Sequence, residues 1–258
     1  MDLELAGRTA VVTGASRGIG LAIVRALAAE GASVVAGSLH GSAELDRLDS
    51  VQSVMIDLST PEGPAELVES AVSGLGGIDI LVNNIGALKP RLDGFAAISD
   101  ADWEWSLSIN FLSAVRTMRA AIPAMAGRPG ATIVTVSSVN AFLPDPAVID
   151  YSAAKGALTN LCKSLSKELG PDIRVNTISP GPVMTDLWLG TDGVAATVGK
   201  AGGTDPDDVV AQQSAAAPSG RFTRPDEVAD LVLFLASSRA ANITGSDFVI
   251  DGGLITTL

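Results

Sequence analysis

The sequence predicts a doubly wound α/β fold, a seven-stranded parallel sheet flanked by helices on both faces. Three observations predict it. Short apolar runs alternate with amphipathic ones along the whole chain, the pattern of repeated strand–helix–strand units. The first apolar run leads straight into a glycine-rich loop and then a helix, an arrangement typical of the first unit of an open parallel sheet. The 258 residues suffice to bury both faces of such a sheet in a single domain over 1–258.

Thr9–Thr13 is a continuous apolar and β-branched run, as expected of a strand buried on both faces. Gly14-Ala15-Ser16-Arg17-Gly18-Ile19-Gly20 follows, and Leu21, Ile23, Val24, Leu27 and Ala28 mark a helix as far as Glu30-Gly31. Residues 33–36, 51–56, 78–83, 131–137, 174–179 and 247–250 read as the six further strands. Helices are expected over 62–75, 100–125, 151–169 and 226–236. Ser99 followed by Asp102 is a capping signal for the second of these, and Pro225 suits the first turn of the last. The interval 185–219, rich in Ala, Gly, Thr and Asp, is long for a connection inside a compact domain. It reads as a lid over a binding site, with Trp188 and Leu189 as apolar contacts, or as a mobile surface loop.

Two clusters carry chemistry. A strand, a glycine loop and a helix N-terminus together hold a phosphate through backbone amides, although a tight strand-to-helix turn uses glycines too. The spacing here is Gly-x-x-x-Gly-x-Gly. In the second cluster, Tyr151, the only tyrosine, lies four residues before Lys155, so the two share a helix face. A phenol titrates near pH ~10 and serves as a general acid–base when a neighbouring cation stabilises its anion. The lysine is that cation, unless the pair simply occupies a solvated face.

Taken in order, these features and several others resemble the short-chain dehydrogenase/reductase family in its single-domain form. Residues 13–20 look like its cofactor loop and Asp57-Leu58 like its acidic–apolar pair beside adenine. Asn83-Asn84-Ile85-Gly86 is similar to its Asn-Asn-Ala-Gly signature. Asn110, Ser138, Tyr151 and Lys155 fall where its catalytic tetrad falls, with Ser138 thirteen positions before Tyr151. Ser137 competes for the serine role, but only one of two adjacent strand residues faces the site. Pro180-Gly181 and Asp251-Gly252-Gly253 match the nicotinamide-flanking turn and the C-terminal signature. Ala141 and Ile85 depart from the family's smaller residues and are expected to reshape the pocket.

The resemblance implies a Rossmann-type fold and a nicotinamide cofactor. Contacts to it are expected from Gly14, Ser16, Arg17, Gly18, Ile19, Gly20, Ser38, Asp57, Leu58, Asn84, Gly86, Pro180, Gly181, Val183 and Thr185, and from Tyr151 and Lys155. It also implies that Tyr151 transfers the proton, Lys155 lowers its pKa and holds the ribose, Ser138 bonds the substrate oxygen, and Asn110 positions a proton-relay water. Cofactor choice turns on the second strand, whose end carries Ser38 where NAD-preferring relatives carry aspartate. Arg17 is a basic residue suited to a 2′-phosphate. NADP(H) is therefore the expected cofactor, with NAD(H) as the alternative.

Composition narrows the remaining classes. A formal net charge of −12 argues against nucleic acid, anionic membranes and acidic carrier proteins as partners. Mean hydropathy is +0.36, yet no run of uncharged apolar residues is long enough for a membrane span, and the acidic first residues do not suit a signal peptide. A soluble, cytoplasmic protein is expected. Cys162 and His40 are each the only residue of their kind, which excludes an internal disulfide and a cysteine-rich metal site; no metal is expected. Apolar residues around much of helices 100–125 and 151–169 call for a second burial surface. These helices form the main subunit interface in the family the chain resembles, so a homotetramer, or at least a dimer, is expected. The substrate is a small carbonyl compound or secondary alcohol, with ketoacyl, steroid and sugar classes all open. Phe142, Leu143, Pro144 and Val148 suggest an apolar wall, and Lys89 and Arg91 read as solvated. The alternatives are an NAD-dependent alcohol dehydrogenase, a lyase or epimerase using the same cofactor, and a non-catalytic dinucleotide sensor or scaffold.

Overall fold

A computed structural model of the chain describes residues 2–257. Seven parallel strands form one sheet in the order β3-β2-β1-β4-β5-β6-β7. They are β1 Thr9–Thr13, β2 Ser33–Ser38, β3 Val51–Met55, β4 Ile80–Asn83, β5 Ala131–Val136, β6 Ile173–Pro180 and β7 Asp247–Ile250. The expected Rossmann-type architecture is therefore present, and strand ends differ from the sequence reading by one or two residues. The chain runs outward from β1 to β3 and returns to place β4 on the other side of β1. That reversal opens a crevice beyond the carboxyl ends of β1 and β4.

Strand residues alternate between two cores. Val12, Val34, Ala36, Val82 and Val134 face α1 (Gly18–Ala29) and, near the C-terminus, the helix Pro225–Ala236. Val11, Val35, Leu81, Ile133 and Val175 face α2 (Gly63–Leu75) and two later helices, Ser113–Met125 and Ile149–Glu168. Burial on both faces explains why these strands read as unbroken apolar runs.

Two expectations need correction. The helix expected over 100–125 is divided into α3 (Asp100–Leu107) and α4 (Ser113–Met125) by a π-helical turn at Ser108–Leu112. Propensity gives no sign of such a turn, because its extra residue is accommodated by tertiary contacts. The start of α3 is as read, since Ser99 and Asp102 form a reciprocal capping box. After α5 (Ile149–Glu168), the interval 185–219 is not an irregular loop. It holds α6 (Asp186–Leu189), α7 (Val194–Gly202) and α8 (Pro206–Ala216) before α9 (Pro225–Ala236).

At the opposite, amino end of the sheet, the buried Asp79 carboxylate accepts from Thr9 N (2.8 Å), Thr9 Oγ1 (2.9 Å) and Arg128 Nε (2.6 Å). Burial raises its pKa, but these bonds and the Arg8 charge outweigh burial and lower it below 3.8. A depressed folded pKa means that the stabilisation exists above the unfolded value and disappears as pH falls through the folded one. Asp79→Asn is expected to lower stability by about 2 kcal/mol near neutral pH. In urea unfolding, the gap to wild type should shrink from about pH 7 to about pH 3.

Candidate active site

β5 delivers two serines to the crevice, and they turn opposite ways. Ser137 Oγ pairs with Thr159 Oγ1 on α5 at 2.7 Å. Ser138 Oγ instead donates to Asn140 Oδ1 (3.1 Å) and accepts from Asn140 N (3.2 Å). Alternation along an extended strand makes Ser138 the one free of the sheet–helix interface.

Tyr151 and Lys155 share a face in the first turns of α5 and are both buried. Lys155 Nζ lies 5.7 Å from the Tyr151 ring centroid and donates to Val136 O at 3.0 Å. Burial pushes the Tyr151 phenol up to about 12, against a lowering effect of Ser138, and pushes the Lys155 ammonium down to about 8. The lowering contribution comes from Ser138 and not from Lys155, and burial outweighs it. Desolvation opposes charge on either group, so the phenol is protonated at neutral pH. Burial also pushes the Cys162 thiol up to about 11, which fits the packing role read for it.

Asn110 sits in the π-helical turn, and its amide is fully engaged. Oδ1 accepts from Ala87 N (2.9 Å), while Nδ2 donates to Ala87 O (2.8 Å) and Ser106 O (3.0 Å). These bonds engage both ends of the side-chain amide. It pins the loop after β4 beside α5. A Cβ added at Gly86 would lie 3.0 Å from Asn110 Oδ1 and 3.4 Å from Lys155 Nζ, so this close approach needs glycine.

The glycine loop lies against the same loop after β4. Asn84 Nδ2 donates to Thr13 O and Gly14 O, both at 3.1 Å, and Thr13 Oγ1 accepts from Asn84 N and Ile85 N. Asn84 thus holds the glycine loop in place. Gly14 has φ +67°, and a Cβ at Gly20 would fall 2.1 Å from Gly14 O, which fixes how closely α1 meets the strand. Arg17 is exposed at the N-cap of α1, which has no side-chain cap and no acid in its first turn. Its free amides suit a phosphate. Ser16 and Ile19 are half-buried on this loop, and Gly18 meets Thr185, whose Cγ2 would be 3.1 Å from an added Cβ.

Ser38 ends β2, almost buried, and donates to His40 O at 2.9 Å. Asp57 accepts from Ser59 N and Oγ, bonds that lower its pKa. Leu58 lies in the core, so the expected acidic–apolar contact has the Leu58 backbone and the exposed Asp57 to offer. Pro180 ends β6, Gly181 N donates to Ile250 O (3.0 Å), and the Asp251 turn packs behind it. Val183 is buried and bridges to Thr223.

Other readings change. Trp188 stacks edge-on against Phe222, ring centroids 5.1 Å apart, and so anchors the start of the 185–219 segment. Leu189 is exposed, with Met184 and Leu187. Ile85 packs against the core, which takes up its bulk. Lys89 lies over the Trp105 ring at 4.3 Å. Arg91 is not solvated but paired with Asp150 and Asp102. Asn140 and Asp150 were missed; their nearness to Ser138 and Tyr151 was the available signal.

Comparison with known proteins decides the family. A family profile described as enoyl-(acyl carrier protein) reductase matches residues 14–255. The chain is 38% identical to L-xylulose reductase of Bos taurus, with all of both chains covered. The chain belongs to the short-chain dehydrogenase/reductase family. Another family member, the 3-alpha-(or 20-beta)-hydroxysteroid dehydrogenase of Mycobacterium tuberculosis, is 35% identical over all of this chain and 93% of its own. L-sorbose reductase of Gluconobacter frateurii, solved in complex with NADPH and L-sorbose, superposes with a TM-score of 0.91 at 35% identity, all of both chains covered. The protein is accordingly an oxidoreductase acting on CH–OH groups or the corresponding carbonyls. None of its described helices is long and apolar enough to cross a membrane.

Proposed function

We propose that this oxidoreductase reduces a small carbonyl compound with NADPH, with Tyr151 as proton donor. The observation that carries the reading is the meeting of Ser138, Tyr151 and Lys155 at the carboxyl end of β5, next to the glycine loop. The residues fit the cofactor. The uncapped start of α1 has amides to spare for the pyrophosphate, and Gly18 and Gly86 leave room that a Cβ would fill. When bound, the nicotinamide supplies the hydride.

The chain's own residues do the rest. Ser138 turns its hydroxyl from Asn140 to the substrate oxygen, and Tyr151 donates its proton to that oxygen as negative charge develops there. The Lys155 ammonium stabilises the resulting phenolate and would hold the nicotinamide ribose. Asn110 contributes through the widened main chain of its turn, because its amide is spent on Ala87 and Ser106. NADP(H) is favoured over NAD(H) by Ser38 at the end of β2 and by Arg17, which makes no ion pair among the described residues. The NADPH complex of the sorbose reductase supports the same choice. Phe142, Leu143, Met184, Leu187 and Leu189 are all at least 40% exposed on the segments that follow β5 and β6. They favour a carbonyl on an apolar body over a polyol. A panel of apolar ketones and ketoses assayed with NADPH and NADH tests the reading. Turnover of ketoses alone would remove the apolar-substrate assignment, and no carbonyl turnover would favour a dinucleotide sensor.

The same reading takes 1–258 as one catalytic domain with a lid at about 185–219, working in the cytoplasm as a homotetramer. Half-buried Leu112, which ends the π-helical turn, and Val115 and Ile122 on α4 supply an apolar stripe to bury, while Lys163, Lys167 and Glu168 leave the end of α5 polar. Light scattering at micromolar concentration is expected to give four copies, and a monomer would refute the assembly.

A further inference from the structure

Arg91 lies in the loop after β4, outside the nicotinamide-family motifs, and only 11% of its side chain is exposed. Its Nε and Nη2 donate to Asp150 Oδ2 at 3.1 and 2.5 Å, and Nη1 donates to Asp102 Oδ1 at 2.8 Å. Its main-chain N also donates to Ala147 O at 2.6 Å. Asp150 immediately precedes Tyr151, and Asp102 belongs to the capping box that starts α3.

We infer that Arg91 is a positioning residue for Tyr151, a clamp fixing the first turn of α5 against the loop after β4 and against α3. Those three segments form walls of the crevice. The loop carries Gly86 past Asn110 and Lys155, α3 leads into the turn that bears Asn110, and α5 bears Tyr151 and Lys155. The start of α5 needs such an anchor, since Val148 at its N-cap provides no side-chain cap. Stability alone does not explain the arrangement. Asp150 Oδ1 is buried without a partner, and a buried ion pair is often no more stabilising than apolar residues of the same volume. Such a pair does impose geometry, because one planar fork must meet two carboxylates at once.

The inference rests on the carbonyl-reductase reading, but the lone tyrosine gives a second readout that needs no activity. The phenolate absorbance on alkaline titration reports Tyr151 alone. The charges that contacts bring to this end of α5 are Asp150 and Lys155 on the helix, Arg91, Asp102 from α3, and Asp145 from the preceding turn. Arg91→Gln leaves Asp150 uncompensated, so the phenol midpoint should rise by about half a unit or more. Turnover should fall about tenfold or more through misplacement of the proton donor, with KM and NADPH affinity within about twofold of wild type. Arg91→Lys, which keeps the charge but not the fork, should recover part of both changes. Asp150→Asn keeps the shape and removes the carboxylate charge, so it should lower the phenol midpoint; it also decides the matter if Arg91→Gln does not fold. A lowered melting temperature with unchanged turnover and an unmoved phenol would overturn the clamp and leave a structural brace. If the wild-type protein reduces no carbonyl, the parent reading fails, and the phenol titration alone decides the clamp.

Discussion

Replacing Tyr151 by phenylalanine is expected to lower turnover at least about a hundredfold while leaving NADPH binding nearly intact. The ring and its packing survive; only the hydroxyl is lost. Burial holds the phenol near 12, so wild-type enzyme carries the proton throughout the neutral range. No other phenol exists in the chain to replace it. Steady-state kinetics with a reducible ketone, with cofactor binding followed by NADPH fluorescence, separates the two effects. A variant with near wild-type turnover would sink the mechanism. The pH profile gives a companion check. Lys155 is held down to about 8, so it is charged below that pH and neutral above. Carbonyl reduction should therefore slow as pH rises past that point, because the incipient phenolate loses its cation.

Ser38→Asp should reverse the cofactor choice. A carboxylate at the end of β2 would face the 2′-phosphate of NADPH, and apposed like charges cost several kcal/mol. Catalytic efficiency with NADPH should drop at least about thirtyfold, whereas NADH should be used as well as before or better. The wild-type hydroxyl bonds His40 O, a contact easily exchanged for a phosphate oxygen. Measuring both cofactors on one substrate, in wild type and variant, tests the assignment. Undiminished use of NADPH by the variant would overturn it, as would a wild-type preference for NADH.

Much of this architecture was legible before any coordinates. The β1 run, the glycine loop and α1 are contiguous, and burial on both faces writes each inner strand as an apolar run. The interval between Ser138 and Tyr151, and the helical spacing of Tyr151 and Lys155, are equally local signals. Other features were invisible because their causes lie far away in sequence. The π-helical turn is occupied by an asparagine whose partners include the Ala87 backbone. Arg91 looked like a solvated charge because both its carboxylates come from other elements. Trp188 packs edge-on against Phe222, a partner that its neighbours in sequence do not announce.

The sequence by itself determined the alternation of strands and helices, the glycine loop, and which residues are the candidates for proton chemistry, since these depend on side-chain type and short spacing. The tertiary structure decided how those residues behave. It buried Tyr151 and Lys155 so that desolvation moves both away from charge. It also spent the Asn110 amide on backbone, drew Arg91 between two carboxylates and folded the 185–219 segment into helices. The physical reason is the range of the forces involved. Periodicity and capping act within a few residues, whereas desolvation and ion pairing depend on what the fold brings from elsewhere in the chain.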